Sequence, residues 1–113
     1  VKMMLAADFP DLSAVQERLA VALLHAPRPL SPRDGYDRLA DDFDLTRDQL
    51  RRENEAGEKV WHILVRAAYK SLKDLKYAPP PPPFGKWRLN EAGRAYAEKV
   101  EKHFSAPAGS SDL

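Results

Sequence analysis

Apolar residues recur at helical spacing along most of this chain, and prolines or small polar residues punctuate them. Leu12, Val15, Leu19, Ala22 and Leu23 predict a first helix over residues 11–25, capped by Asp11 or Ser13. Two prolines then force a loop at 26–30. Ser31-Pro32 pairs an N-cap residue with a proline at the first helical position, so a second helix follows to about Phe43. Its inner marks are Tyr36, Leu39, Ala40 and Phe43, with Asp34, Asp37, Arg38, Asp41 and Asp42 on the wet side. Thr46 caps a short third helix to about Arg52, ending near residues 54–57. The strongest pattern spans 58–75, where Trp61, Leu64, Val65, Ala68, Leu72 and Leu75 form an apolar stripe widened by Val60, Ile63 and Ala67. After Tyr77-Ala78 and the prolines at 79–83, residues 84–89 alternate like a strand. Asn90 caps a last helix over 91–103, with Ala92, Ala95, Tyr96, Val100 and Phe104 facing inward.

At 113 residues the chain fits one domain with a modest core, placed at 8–104 between an N-terminal extension (1–7) and a small polar tail (105–113) that reads as a disordered end or linker. Without cysteine there is no disulfide framework, no thiol nucleophile and no cysteine-based zinc site, and a reducing cytoplasm is the expected compartment. No apolar run reaches the roughly 20 residues a membrane span needs. Charge sharpens the picture more than composition does. Residues 1–58 carry 8 Lys+Arg against 12 Asp+Glu, whereas residues 59–88 carry 7 against the single acid Asp74. That basic block coincides with the long helix and the segment after it, which makes it a surface suited to a polyanion.

Short helices, a long helix, a two-stranded hairpin and a closing helix follow the order of a winged helix-turn-helix. The expected fold class is therefore α+β, mainly helical, with a two-stranded wing and a C-terminal helix. The sequence also resembles the winged-helix N-terminal domain of Mrr-type restriction endonucleases. The resemblance lies in Leu39-Ala40-Asp41 with Leu45-Thr46, in Val65-x-x-Ala68-x-x-x-Leu72-Lys73, and in Gly85-x-Trp87-x-Leu89-Asn90-x-x-Gly93-Arg94. The chain departs from the family pattern at Ala67, where an aromatic is usual, and in its five wing prolines. The resemblance implies binding of double-stranded DNA. It also implies association with a separate nuclease domain that acts on modified DNA.

Lys59, His62, Arg66, Tyr69, Lys70 and Lys73 recur at intervals of three and four on the polar side of the long helix, which is expected to lie along the major groove. Lys59, His62 and Arg66 occupy the leading half, where base edges are reached, while Lys70 and Lys73 are placed to hold phosphates. Strand alternation sets Phe84, Lys86 and Arg88 on one face of the wing, giving Lys86 and Arg88 access to backbone or minor groove, and Arg51, Arg52 and Asn54 are further phosphate candidates. Trp61 and Trp87 fall on predicted inner faces and read as core.

Enzyme readings fail on spacing. Pro10-Asp11 and Asp74-Leu75-Lys76 mimic the letters of a metal-dependent nuclease site, but Asp74 lies in a helix. Asp42, Asp44, Thr46 and Glu53 match calcium-loop positions, yet Arg47 stands where the loop needs glycine. No triad spacing and no phosphate-cradling glycine loop occurs, so this domain is expected to be neither an enzyme nor a cofactor binder. The competing function is protein interaction, with the basic face docking an acidic partner and the proline tip, or Phe84 and Tyr77, supplying an apolar contact.

Overall fold

The computed structural model describes residues 9–79 and 85–105. Five helices occur in this part: α1 (Leu12–His25), α2 (Pro32–Asp42), α3 (Arg47–Arg51), α4 (Val60–Asp74) and α5 (Glu91–Ser105). α1 is the hub and packs on α4, α5 and α2, while α4 also takes α2 and α3.

Capping side chains set the helix starts. Asp11 accepts from the Ala14 amide at 2.9 Å, Ser31 from Asp34 at 3.1 Å, and Asn90 from Gly93 at 2.8 Å. Thr46 and Gln49 satisfy each other's backbone amides in a capping box, at 3.1 and 2.7 Å. The ends of α2 and α4 share one device, although neither has a glycine to ease it. Asp44 (φ 54°) and Lys76 (φ 70°) turn left-handed. The next residue then bonds back into the last turn, Leu45 to the Ala40 carbonyl at 3.0 Å and Tyr77 to that of Leu72 at 2.8 Å.

The core is built on Trp61, Leu19, Leu39, Leu72, Val15 and Val65, all fully buried. Trp61 donates its indole N–H to the Tyr36 carbonyl at 3.0 Å and takes Phe43 edge-on, so its one polar atom is satisfied inside. A part-buried polar chain joins three helices: Ser71 donates to Gln16 at 2.6 Å, and the Gln16 amide donates to the Tyr96 hydroxyl at 3.1 Å.

Two inner faces differ from those expected. On α4, Tyr69 is buried while Leu64 is only half-buried and Leu75, at the helix cap, is 50% exposed. On α5 the inward residues are Gly93, Ala97 and Val100, with Tyr96 half-buried, whereas Ala92 and Ala95 are exposed. Leu12, expected inside α1, is 42% exposed.

The two-stranded wing is corrected outright. Among the described residues there is no strand, only isolated bridges at Leu30–Trp87 and Glu53–Lys59. Leu30 and Trp87 exchange both backbone bonds, at 2.9 and 2.7 Å, but the ladder stops there because Pro32, two residues on, has no N–H to give and already starts α2. On the other side, the Tyr77 carbonyl that a wing strand would use accepts instead from the Asn90 amide at 3.0 Å. Among the described residues the architecture is thus an all-helical assembly, in which the connector 85–89 leaves a left-handed Gly85 (φ 69°) and is pinned to the α1–α2 loop at Trp87. The expected proline tip, the Phe84 position, the N-terminal extension and most of the polar tail lie outside the described residues.

Candidate nucleic-acid interface

Because α4 turns every 3.6 residues, its side chains separate into three stripes. Trp61, Val65, Ala68 and Leu72 enter the core. Val60, Ile63, Leu64 and Ala67 line an apolar groove together with Phe9 and Leu12. His62, Arg66, Lys70 and Lys73 make up the third stripe, which the 85–89 connector flanks.

Trp87 anchors that connector. Its ring stacks on Tyr69 at 4.8 Å and 13° and meets Tyr36 edge-on, and its six-membered ring lies over Gly35, where an added Cβ would come within 2.9 Å of Cζ3. With Trp87 turned inward, Lys86 and Arg88 on either side are exposed, as alternation predicts. The Tyr69–Trp87 pair then floors a groove of about 290 Å³ walled by Arg66, Lys70, Lys73, Pro32 and Gly85.

Tyr69 is therefore not a groove-reading residue. It is only 3% exposed. Burial pushes its phenol above the ordinary value, while the backbone and charge of Arg88 pull the other way. Its hydroxyl makes no hydrogen bond of good geometry, although Arg88 lies close by. A tyrosine on the boundary between core and polar stripes is drawn inward by the second aromatic ring.

Two carboxylates that precede the basic block in sequence reach the stripe in the fold, and Asp74, the one acid within the block, pairs one helical turn back. Glu53 pairs with Lys59 at 3.1 Å, Glu58 with Arg66 at 3.8 Å, and Asp74 with Lys70 at 3.0 Å. The first two come from the turn before α4, where Asn54 accepts from the Ala56 and Glu58 amides at 2.9 and 3.0 Å. Asn54 is thus a turn-forming residue. Arg52 holds its guanidinium over Phe9 at 5.8 Å, on the side of the apolar groove rather than the basic stripe, and Arg51 is exposed on α3. Lys73, Lys86 and Arg88 have no carboxylate within ion-pair reach among the described residues. The uncompensated charge therefore sits on the trailing half of α4 and the connector, not on the leading half. Exposed pairs such as Lys70–Asp74 are worth at most about 1 kcal/mol, so a phosphate can displace them.

His62 lies flat on Tyr36, centroids 4.0 Å apart and rings 11° from parallel. Desolvation first, then the charges of Arg66 and Lys59, hold it below its ordinary value. Asp37 opposes them and Arg33 adds to them. A histidine depressed on folding takes up its proton more readily in the unfolded chain. Its stabilising share is therefore present above about pH 6.5 and lost as pH falls toward the folded value. An NMR titration of the His62 ring should give a midpoint below about 6.5 that rises in Arg66→Gln. A midpoint at or above that value would contradict the assignment of these neighbours.

No protein-family model, curated protein or solved structure matches this chain. The expectations of modified-DNA recognition and of a nuclease partner accordingly rest on the resemblance of short motifs alone. Among the described residues, no three His, Asp or Glu side chains are grouped to hold a metal, and no helix is long and apolar enough to cross a membrane. The calcium-loop letters are scattered: Asp42 ends α2, Asp44 turns left-handed, Thr46 caps α3 and Glu53 pairs with Lys59.

Proposed function

We propose that this domain binds double-stranded DNA along a basic surface made by the trailing half of α4 and residues 85–88. The observation that carries the reading is that Lys73 shares one groove with Arg66 and Lys70, while Lys86 and Arg88 stand exposed on the connector whose Gly85 and Trp87 line that groove; Lys73, Lys86 and Arg88 have no carboxylate partner among the described residues. An α-helix fits the major groove, and long cations flanking it reach the phosphates on either side. Because Glu53 and Glu58 pair with the leading-half cations, contact is expected to be mostly with the backbone, and sequence preference weak.

Salt titration of a fluorescent 20-base-pair duplex tests this. If the five cations each neutralise one phosphate, log K falls with log salt at a slope of about −4.5. Absence of binding at low salt, or a slope near zero, would overturn the proposal.

A second reading has one observation in its favour. The apolar groove of about 510 Å³ between Phe9 and α4 adjoins the basic stripe, a pairing of surfaces that suits an acidic, partly apolar protein segment. Such an interface would show a shallower salt dependence than a duplex, because its apolar part is not screened.

A further inference from the structure

A second basic cleft lies on the other side of the connector. Arg28, Arg88 and Arg94 line it, with Trp87 and Leu89 as apolar wall, and its volume is about 280 Å³. The three arginines come from separate pieces of chain: the α1–α2 loop, the connector and the first turns of α5. None has a carboxylate within ion-pair reach among the described residues. Like charges gathered in one cleft repel, and Arg94 also stands close to the positive end of the α5 dipole, where a cation is disfavoured. Their backbones are nonetheless tightly held. Arg28 lies between two prolines, the Leu30–Trp87 bridge fixes both the loop and the connector, and the Arg94 amide bonds to the Asn90 carbonyl at 2.9 Å. Three arginines without carboxylate partners, carried on held backbone around one cleft, suit a multiply charged oxyanion, since each guanidinium offers paired donors at the spacing of phosphate oxygens.

We infer that the Arg28–Arg88–Arg94 cleft is a phosphate-binding site. Trp87 and its neighbours separate it from the α4 groove, so a nucleic-acid strand crossing the connector would place a backbone phosphate there; a free phosphate ion would use the same contacts. Only the first source rests on the DNA-binding reading above.

The test uses this chain, inorganic phosphate and a 20-base-pair duplex, with Arg28→Ala/Arg94→Ala as the variant and circular dichroism to verify its fold. At constant ionic strength, phosphate replacing chloride should shift the Nε–Hε resonances of Arg28 and Arg94 and the Trp87 indole signal, and the indole response should disappear in the variant. With the backbone as source, the variant should also bind duplex about tenfold more weakly, with a salt slope shallower by about 0.9, one phosphate's worth. A phosphate response with unchanged duplex affinity supports the site with free phosphate as its ligand. A phosphate response in a wild-type domain that binds no duplex at all keeps the site while sinking the DNA reading. Neither a phosphate response nor a change in duplex binding would overturn the inference.

Discussion

Gly93→Ala is expected to destabilise the domain by at least about 3 kcal/mol, lowering the melting temperature by more than about 10 °C. A Cβ at this position would sit 2.0 Å from the Tyr77 carbonyl oxygen and 2.9 Å from its carbon. Both are backbone atoms with little room to move. The Tyr77 amide closes the last turn of α4 on Leu72 at 2.8 Å, and its carbonyl accepts from Asn90 at 3.0 Å. Asn90 in turn reaches the Lys76 carbonyl at 2.9 Å and caps α5 at the Gly93 amide. Relief of the clash must therefore separate α4 from α5 at the point where the connector returns. Gly57→Ala is the control: its positive φ of 81° carries a strain of about 1–2 kcal/mol, but nothing lies within 4 Å of an added Cβ. Thermal melts of the two variants should differ widely. A Gly93→Ala melt within a few degrees of wild type would contradict the packing of this junction.

Reversing Arg66 and Lys70 together to glutamate should weaken duplex binding at least about a hundredfold while the domain remains folded. Each charge-assisted contact with a phosphate is worth about 1.5–3 kcal/mol, and two losses with added repulsion exceed the roughly 2.7 kcal/mol that a hundredfold represents. The fold should survive because both side chains are exposed and their ion pairs with Glu58 and Asp74 are surface pairs. A glutamate in place of Lys70, one turn before Asp74, adds only a few tenths of a kcal/mol of helix repulsion. Anisotropy of a labelled duplex and a circular dichroism melt read the two halves of this prediction. Unchanged affinity in a folded double variant would remove α4 from the interface.

Local chemistry made the helix boundaries legible. Asp11, Ser31 with Pro32, Thr46 and Asn90 each act within three residues of themselves, and each caps the helix expected of it. Faces were harder to read. α4 carries two apolar stripes, so periodicity alone could not say whether Leu64 or Tyr69 turns inward; the Trp87 ring, 18 positions downstream of Tyr69, decides it. On α5 small alanines occur on both sides and give no contrast. The wing was misread because alternation at 84–89 reports inward and outward side chains, not the existence of a partner strand, and prolines withhold the donors a ladder needs. Of the polar stripe expected on α4, His62, Arg66, Lys70 and Lys73 share one face, with Lys86 and Arg88 exposed on the connector, whereas Tyr69 turns into the core and Lys59 stands at the helix cap. The stripe's neutralisation by Glu53 and Glu58 and the convergence of Arg28 with Arg94 depend on chain reversals that no linear spacing records.

Chemical-shift mapping of the labelled domain against an unlabelled duplex at low salt tests the central claim most directly. The account predicts changes concentrated at Arg66, Lys70, Lys73, Lys86 and Arg88 and at the Trp87 indole, all fading as salt rises. An unperturbed spectrum, or changes confined to Phe9, Val60, Ile63 and Leu64, would contradict it.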